Sequence, residues 1–185
     1  ILLGNGDGTF KKTITFPVSS EPTVIVAGDV NSDGIPDLLT NSRGSGQFTV
    51  LLGYGNGSFR RMPRVLTGRI PLAIIPADFN NDGNIDLLHV GNSSNGLIGH
   101  IYENQGSNNF ILADSTLSGS YNGSNIVADL NGDNKMDVVA TGTSFTSPFR
   151  APKIYMNQSA LSVNELNADL DIIIFPNPSS GLINI

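Results

Sequence analysis

Asp29-Val30-Asn31-Ser32-Asp33-Gly34-Ile35-Pro36-Asp37 carries a side-chain oxygen at positions 1, 3, 5 and 9 of a nine-residue stretch, with glycine at position 6. The pattern returns as Asp78-Phe79-Asn80-Asn81-Asp82-Gly83-Asn84-Ile85-Asp86, and again as Asp129-Leu130-Asn131-Gly132-Asp133-Asn134-Lys135-Met136-Asp137. The first aspartates stand 49 and then 51 residues apart. A second signature keeps step. Leu2-Leu3-Gly4-Asn5-Gly6-Asp7-Gly8-Thr9-Phe10 reappears as Leu51-Leu52-Gly53-Tyr54-Gly55-Asn56-Gly57-Ser58-Phe59, more loosely from Tyr102 to Phe110, and in degenerate form at Tyr155-Met156-Asn157-Gln158. Two markers sharing a period near 50 residues point to a propeller or a solenoid.

Short β-like runs surround each acidic segment. Residues 23–26 and 38–40 flank the first, 72–75 and 87–90 the second, 125–128 and 138–141 the third. They are four residues or so long, rich in Val, Ile and Leu, and bounded by Gly, Asn or Pro. Residues 48–52 and 97–102 add one strand per period, and 59–65 and 110–113 a fourth. No window holds a sustained 3.6-residue apolar stripe, so the class is all-β. Four short strands in about 50 residues is the size of one propeller blade.

Composition narrows the function classes. The 185 residues include 14 % charged and 39 % hydrophobic residues, enough apolar content to bury a core. Cysteine is absent, which excludes disulfides and thiolate metal sites. A net charge of −6 speaks against nucleic acid, whose phosphates require a basic face. No apolar run approaches the roughly 20 residues of a membrane-spanning helix. Nine of the 13 aspartates fall in the three repeated segments.

Carboxylates so concentrated repel one another unless a counter-ion joins them. Oxygens at alternate positions of a tight turn suit a hard dication that takes six to eight oxygen ligands, and a loose loop suits Ca²⁺ better than Mg²⁺. The candidate ligands are Asp29, Asn31, Asp33 and Asp37; Asp78, Asn80, Asp82 and Asp86; and Asp129, Asn131, Asp133 and Asp137. Ile35, Asn84 and Lys135, at position 7, offer backbone carbonyls, which leaves their side chains free to vary. Up to three Ca²⁺ ions are expected, with the third site the weakest. Position 6 requires φ > 0, which glycine supplies at Gly34 and Gly83 and which Asn134 tolerates. An EF-hand needs a bidentate acid at position 12, where this chain has Thr40, His89 and Ala140. The competing reading is a set of metal-free Asx-turns; three loops with one spacing favour the metal.

Residues 28–38 together with 52–59 resemble the FG-GAP/VCBS repeat, which builds the β-propeller of integrin α subunits and of many secreted bacterial proteins. The resemblance covers about residues 1–158, in repeats at about 1–20 (partial), 21–70, 71–121 and 122–158. It implies that each acidic loop joins the first two strands of a blade and binds Ca²⁺ through the four side chains named above. The third repeat departs from the pattern in Gly132-Asp133-Asn134 and in its eroded Leu-Gly half. Residues 159–171 read as a polar linker. Residues 172–185, with Phe175-Pro176-Asn177-Pro178, are similar to the opening of the type A C-terminal sorting domain of the type IX secretion system. That likeness implies handling by the type IX machinery and a secreted or surface location on a Gram-negative bacterium. Three blades fall short of a ring of four to eight, so a fragment of a longer secreted protein is expected, with sheet faces left open.

Catalysis finds little support. His89 and His100 are the only side chains that titrate near neutrality, and both fit strand faces better than a reaction centre. No nucleophile elbow or metalloprotease motif occurs. The expectation is a non-catalytic adhesion or binding module for an extracellular glycan or protein. The alternative is an accessory or catalytic propeller of a secreted polysaccharide-degrading lyase or hydrolase. Arg60, Arg61, Arg64 and Arg69 read as a solvated edge, and Tyr54, Tyr102 and Tyr121 as packing between blades, ahead of glycan contacts.

Overall fold

A computed structural model of the chain describes residues 1–67, 70–93, 96–119, 124–141, 153–159 and 162–165. Among these residues every regular element is a strand. They form three antiparallel sheets in which sequence neighbours pair, as the short hydrophobic runs between turn residues require. The first holds β1 (Pro22–Gly28), β2 (Asp37–Ser42), β3 (Gln47–Gly53) and β4 (Phe59–Arg61), with β5 (Val65–Leu66) on the other end of β3. The second holds β6 (Ile70–Ala77), β7 (Asp86–Ser93), β8 (Gly96–Asn104) and β9 (Phe110–Gly119). The third holds β10 (Asn125–Ala128), β11 (Asp137–Ala140), β12 (Lys153–Ser159) and β13 (Ser162–Glu165).

The repeat extends to detail. Pro22 is the first residue of β1 and Pro71 the second of β6, at matching places of the repeat, and a register shift follows each. Proline is tolerated there because these are edge strands with no outer partner for an N–H. Each acidic segment joins the first two strands of its sheet, with the position-9 aspartate as the first residue of the second strand. Residues 4 and 10 bridge across the turn at Asn5 to Thr9, as the matching hairpin between β3 and β4 does.

Two differences from the sequence reading have physical causes. The expected strand over 59–65 is broken, because Met62-Pro63-Arg64 separates β4 from β5 and Pro63 has no N–H to give a ladder. Residues 162–165, read as part of a polar linker, pair with β12 as β13. Polar side chains do not prevent an outer strand from forming, because its stability comes from the backbone ladder. The sorting-like residues 172–185 lie outside the described residues, as do Arg69 and Tyr121.

Alternation along the strands sets the packing. Leu87 joins Leu39, Phe48, Val50, Ile74 and Tyr102 in a core between the first and second sheets. Its neighbour Leu88 points the other way and joins Val90, Ile101, Val138, Ala140 and Tyr155 between the second and third. The second sheet is therefore covered on both faces, and residues 86–91 of β7 are all buried. On the first sheet, the place of Leu87 is taken by Leu38. It lines an apolar cleft of about 410 Å³ with Ile14, Phe16, Val24 and Leu51, and Ile25 nearby is 63 % exposed.

Candidate metal-binding loops

The position-9 aspartates act as clamps. Asp37, Asp86 and Asp137 are fully buried. One oxygen of each accepts the N–H of loop position 2: Val30, Phe79 and Leu130, each at 3.0 Å. The other accepts an N–H at or near the end of the third strand: Gly53 at 2.7 Å, Asn104 at 2.9 Å and Asn157 at 2.8 Å. Each carboxylate thus ties its loop to a strand that the sequence places 16 to 20 residues away. Burial pushes Asp37 and Asp86 above the ordinary carboxylate range; the N–H bonds pull against it, and the loop's other aspartates add to the rise.

The remaining side chains fold over the loop backbone. In the first loop, Asp29 Oδ1 and Asn31 Oδ1 both accept the Asp33 N–H, at 3.1 and 3.2 Å, so these two oxygens converge. In the second, Asp78 Oδ1 and Asn80 Oδ1 converge likewise on the Asp82 N–H, at 3.2 and 3.0 Å. Asp29 and Asp78 accept the glycine N–H of position 6 with their second oxygen. Asp33, Asp82 and Asp133 accept the N–H of Ile35, Asn84 and Lys135. The Asn84 N–H is the main reason that the Asp82 carboxyl sits below the usual range. In the third loop the paired bond divides. Asp129 Oδ1 takes the Gly132 N–H at 2.7 Å, while Asn131 Oδ1 takes that of Asp133 at 3.0 Å.

Backbone conformation explains that departure. Positions 4 and 6 are both left-handed in all three loops: Ser32 (58°) and Gly34 (80°), Asn81 (58°) and Gly83 (86°), Gly132 (79°) and Asn134 (64°). The third loop exchanges glycine between the two positions. Position 6 was legible from glycine. Position 4 was not, since Ser32 and Asn81 do not signal φ > 0 as glycine does.

The loops also touch one another. Ser32 Oγ donates to the Gly83 carbonyl at 3.2 Å, and Asn81 Nδ2 to the Asn134 carbonyl at 2.9 Å. Deeper in, Asn104 Nδ2 donates to Val30 O (2.9 Å) of the preceding loop and to Ile85 O (3.2 Å) of its own. Asn157 Nδ2 repeats this with Phe79 O (2.9 Å) and Met136 O (3.4 Å). What reads in the sequence as erosion of a Leu-Gly motif is a substitution of Gly by a bridging amide. At Gly53 an added Cβ would lie 2.3 Å from Pro36 O, so the first repeat keeps glycine.

Among the described residues no three His, Cys, Asp or Glu side chains gather closely enough to hold a metal ion as they stand. The donor chemistry nonetheless fits a hard dication. All side-chain candidates are oxygens, and an oxygen that accepts one N–H keeps a further lone pair. The other candidates go elsewhere. His89 is fully buried in β7 opposite His100 of β8, against Phe48 and Tyr102. Tyr102 stacks edge-on to Phe48 in the core between two sheets, whereas Tyr54 is 56 % exposed. Arg60, Arg61 and Arg64 are exposed at the edge near β4.

No curated protein matches the chain. The sequence profile of the FG-GAP-like repeat matches residues 1–40 and 78–140, stretches that contain all three acidic loops. With sequence period, loop geometry and profile in agreement, the chain belongs to the FG-GAP-like repeat family.

Proposed function

We propose that the chain is a calcium-binding, non-catalytic β-propeller module of a secreted or cell-surface protein, in which each sheet is one blade and the ligand is an extracellular glycan or protein. The observation that carries the proposal is the threefold return of one oxygen-rich loop, each tied into its sheet by a buried carboxylate. Asp29, Asn31 and Asp33, with Asp37 and the Ile35 carbonyl, would hold the ion in the first loop. Asp78, Asn80, Asp82, Asp86 and the Asn84 carbonyl would do so in the second, and Asp129, Asn131, Asp133, Asp137 and the Lys135 carbonyl in the third. A bound dication neutralises carboxylates that otherwise repel and fixes the turn that orients the hairpin. Weak sites of the extracellular kind, with Kd on the order of 10⁻⁴–10⁻³ M, fill outside cells and stay empty in cytosol. The likeness of residues 172–185 to a type IX sorting domain agrees with export from a Gram-negative bacterium.

Thermal melts and calorimetry in EDTA and in 10 mM Ca²⁺ test this. At a hundredfold excess over Kd, one filled site adds about 2.7 kcal/mol, so the melting temperature should rise by several degrees. The double variant Asp33→Ala with Asp82→Ala should lose most of that rise. An unchanged melt on chelation overturns the proposal.

A further inference from the structure

Among the described residues, the second loop has a carboxylate neighbour that the matching positions of the other two loops do not supply. Glu103, half-buried in β8, accepts a hydrogen bond from Asn80 Nδ2 through Oε1 at 2.9 Å. The N–H groups that cap Asp37, Asp86 and Asp137 align Gly53, Asn104 and Asn157, and so place Leu52 and Met156 at the positions matching Glu103. The loop asparagines otherwise behave alike. Asn31, Asn80 and Asn131 each direct Nδ2 to the position-5 carboxylate, at 2.8, 3.1 and 3.2 Å. Each also turns Oδ1 to the position-5 N–H. Glu103 is thus an addition to one repeat of a shared plan.

An amide can present oxygen or nitrogen to a cation, and only oxygen is a ligand. A carboxylate bound to Nδ2 penalises the flipped amide, because flipping would bring Oδ1 against a negative oxygen. Such a charge-assisted bond is stronger than a neutral one. It also adds a negative charge beside a loop that already carries three aspartates. We propose that Glu103 is a positioning residue of the second loop. It fixes Asn80 with its oxygen towards the ligand set and makes this loop bind a divalent cation more tightly than the first or third. This rests on the reading of the loops as cation sites.

The test is a Ca²⁺ titration of the full chain by NMR, with the backbone amides of Gly34, Gly83 and Asn134 as separate reporters of the three loops. Glu103→Gln keeps an acceptor but removes the charge, and Glu103→Leu removes both. The expected result is a second-loop Kd weakened about threefold in the first variant and about tenfold in the second, with the other two loops unchanged. Met156→Glu should tighten the third loop, which keeps the test informative if a Glu103 variant folds poorly. Unchanged titration of Gly83 in both Glu103 variants, with wild-type binding intact, overturns this proposal alone. Absence of any Ca²⁺-dependent shift at all three amides in the wild type overturns the cation reading beneath it.

Discussion

The second and third repeats share strand order, clamp and loop length, yet differ at the residues around that frame. The second carries Asn81 and Gly83 at the two left-handed positions, Glu103 beside the loop and His89 in the following strand. The third carries Gly132 and Asn134 in exchanged order, with Met156 and Ala140 in the other two places. What is common to both is the backbone path and the buried aspartate that holds it. The repeat is therefore defined by where the chain must turn and what satisfies its N–H groups, while individual side chains vary.

The comparison breaks first at the clamp. Asp86→Ala strands two N–H groups in the interior, each costing about 1–3 kcal/mol, so urea unfolding should show a loss of about 4 kcal/mol. Asp82→Ala, at an exposed position, should lose far less in calcium-free buffer. Equal losses would mean that the buried and exposed carboxylates do the same job.

His89 supplies the next contrast. Burial, with a smaller contribution from His100, pushes its pKa from 6.5 down to about 4. The fold thus favours the neutral ring, and its contribution is complete above pH 6.5 and falls away as the pH drops towards 4. Linkage gives a loss of about 2 kcal/mol by pH 5 and about 3 kcal/mol by pH 4. Asp37 and Asp86 act in the opposite sense, since burial raises their pKa and protonation relieves them at lower pH. Comparing the wild type with His89→Leu across this range isolates the imidazole; identical pH profiles would refute its burial as a neutral group.

The glycine exchange predicts a smaller and symmetric effect. No atom lies within 4 Å of a Cβ added at Gly83 or Gly132, so backbone strain alone sets the cost. Gly83→Ala and Gly132→Ala should each lose about 1 kcal/mol in chemical denaturation. A neutral Gly132→Ala would remove the case for a left-handed position 4 in the third loop.

Much of this was legible in the sequence. The three acidic segments, their period and the alternating hydrophobic runs place β1 to β3, β6 to β8, β10 and β11 within a few residues, because burial of one face enforces alternation, whereas β12 was seen only as a degenerate motif. Gly34, Gly83 and Asn134 disclosed the left-handed position 6. The division of labour among the aspartates was not legible. Asp37 looks like Asp33 in a string of letters, and only the third strand, folded back beside the loop, shows that Asp37 is the one enclosed by N–H groups. Asn157 was read as part of an eroded motif for a similar reason, since its acceptor Phe79 lies 78 residues earlier. Residues 162–165 offered only Val163 as an apolar signal.

The amide bridges have a practical consequence for anyone shortening this protein. Val30 O and Phe79 O belong to one repeat in the sequence but receive their donors from the next. A cut at the apparent sequence boundary would strip each carbonyl of its partner while leaving every strand of that sheet intact. Excision that respects the chemistry should instead run past Asn104 or Asn157, so that the smallest self-sufficient piece overlaps two periods.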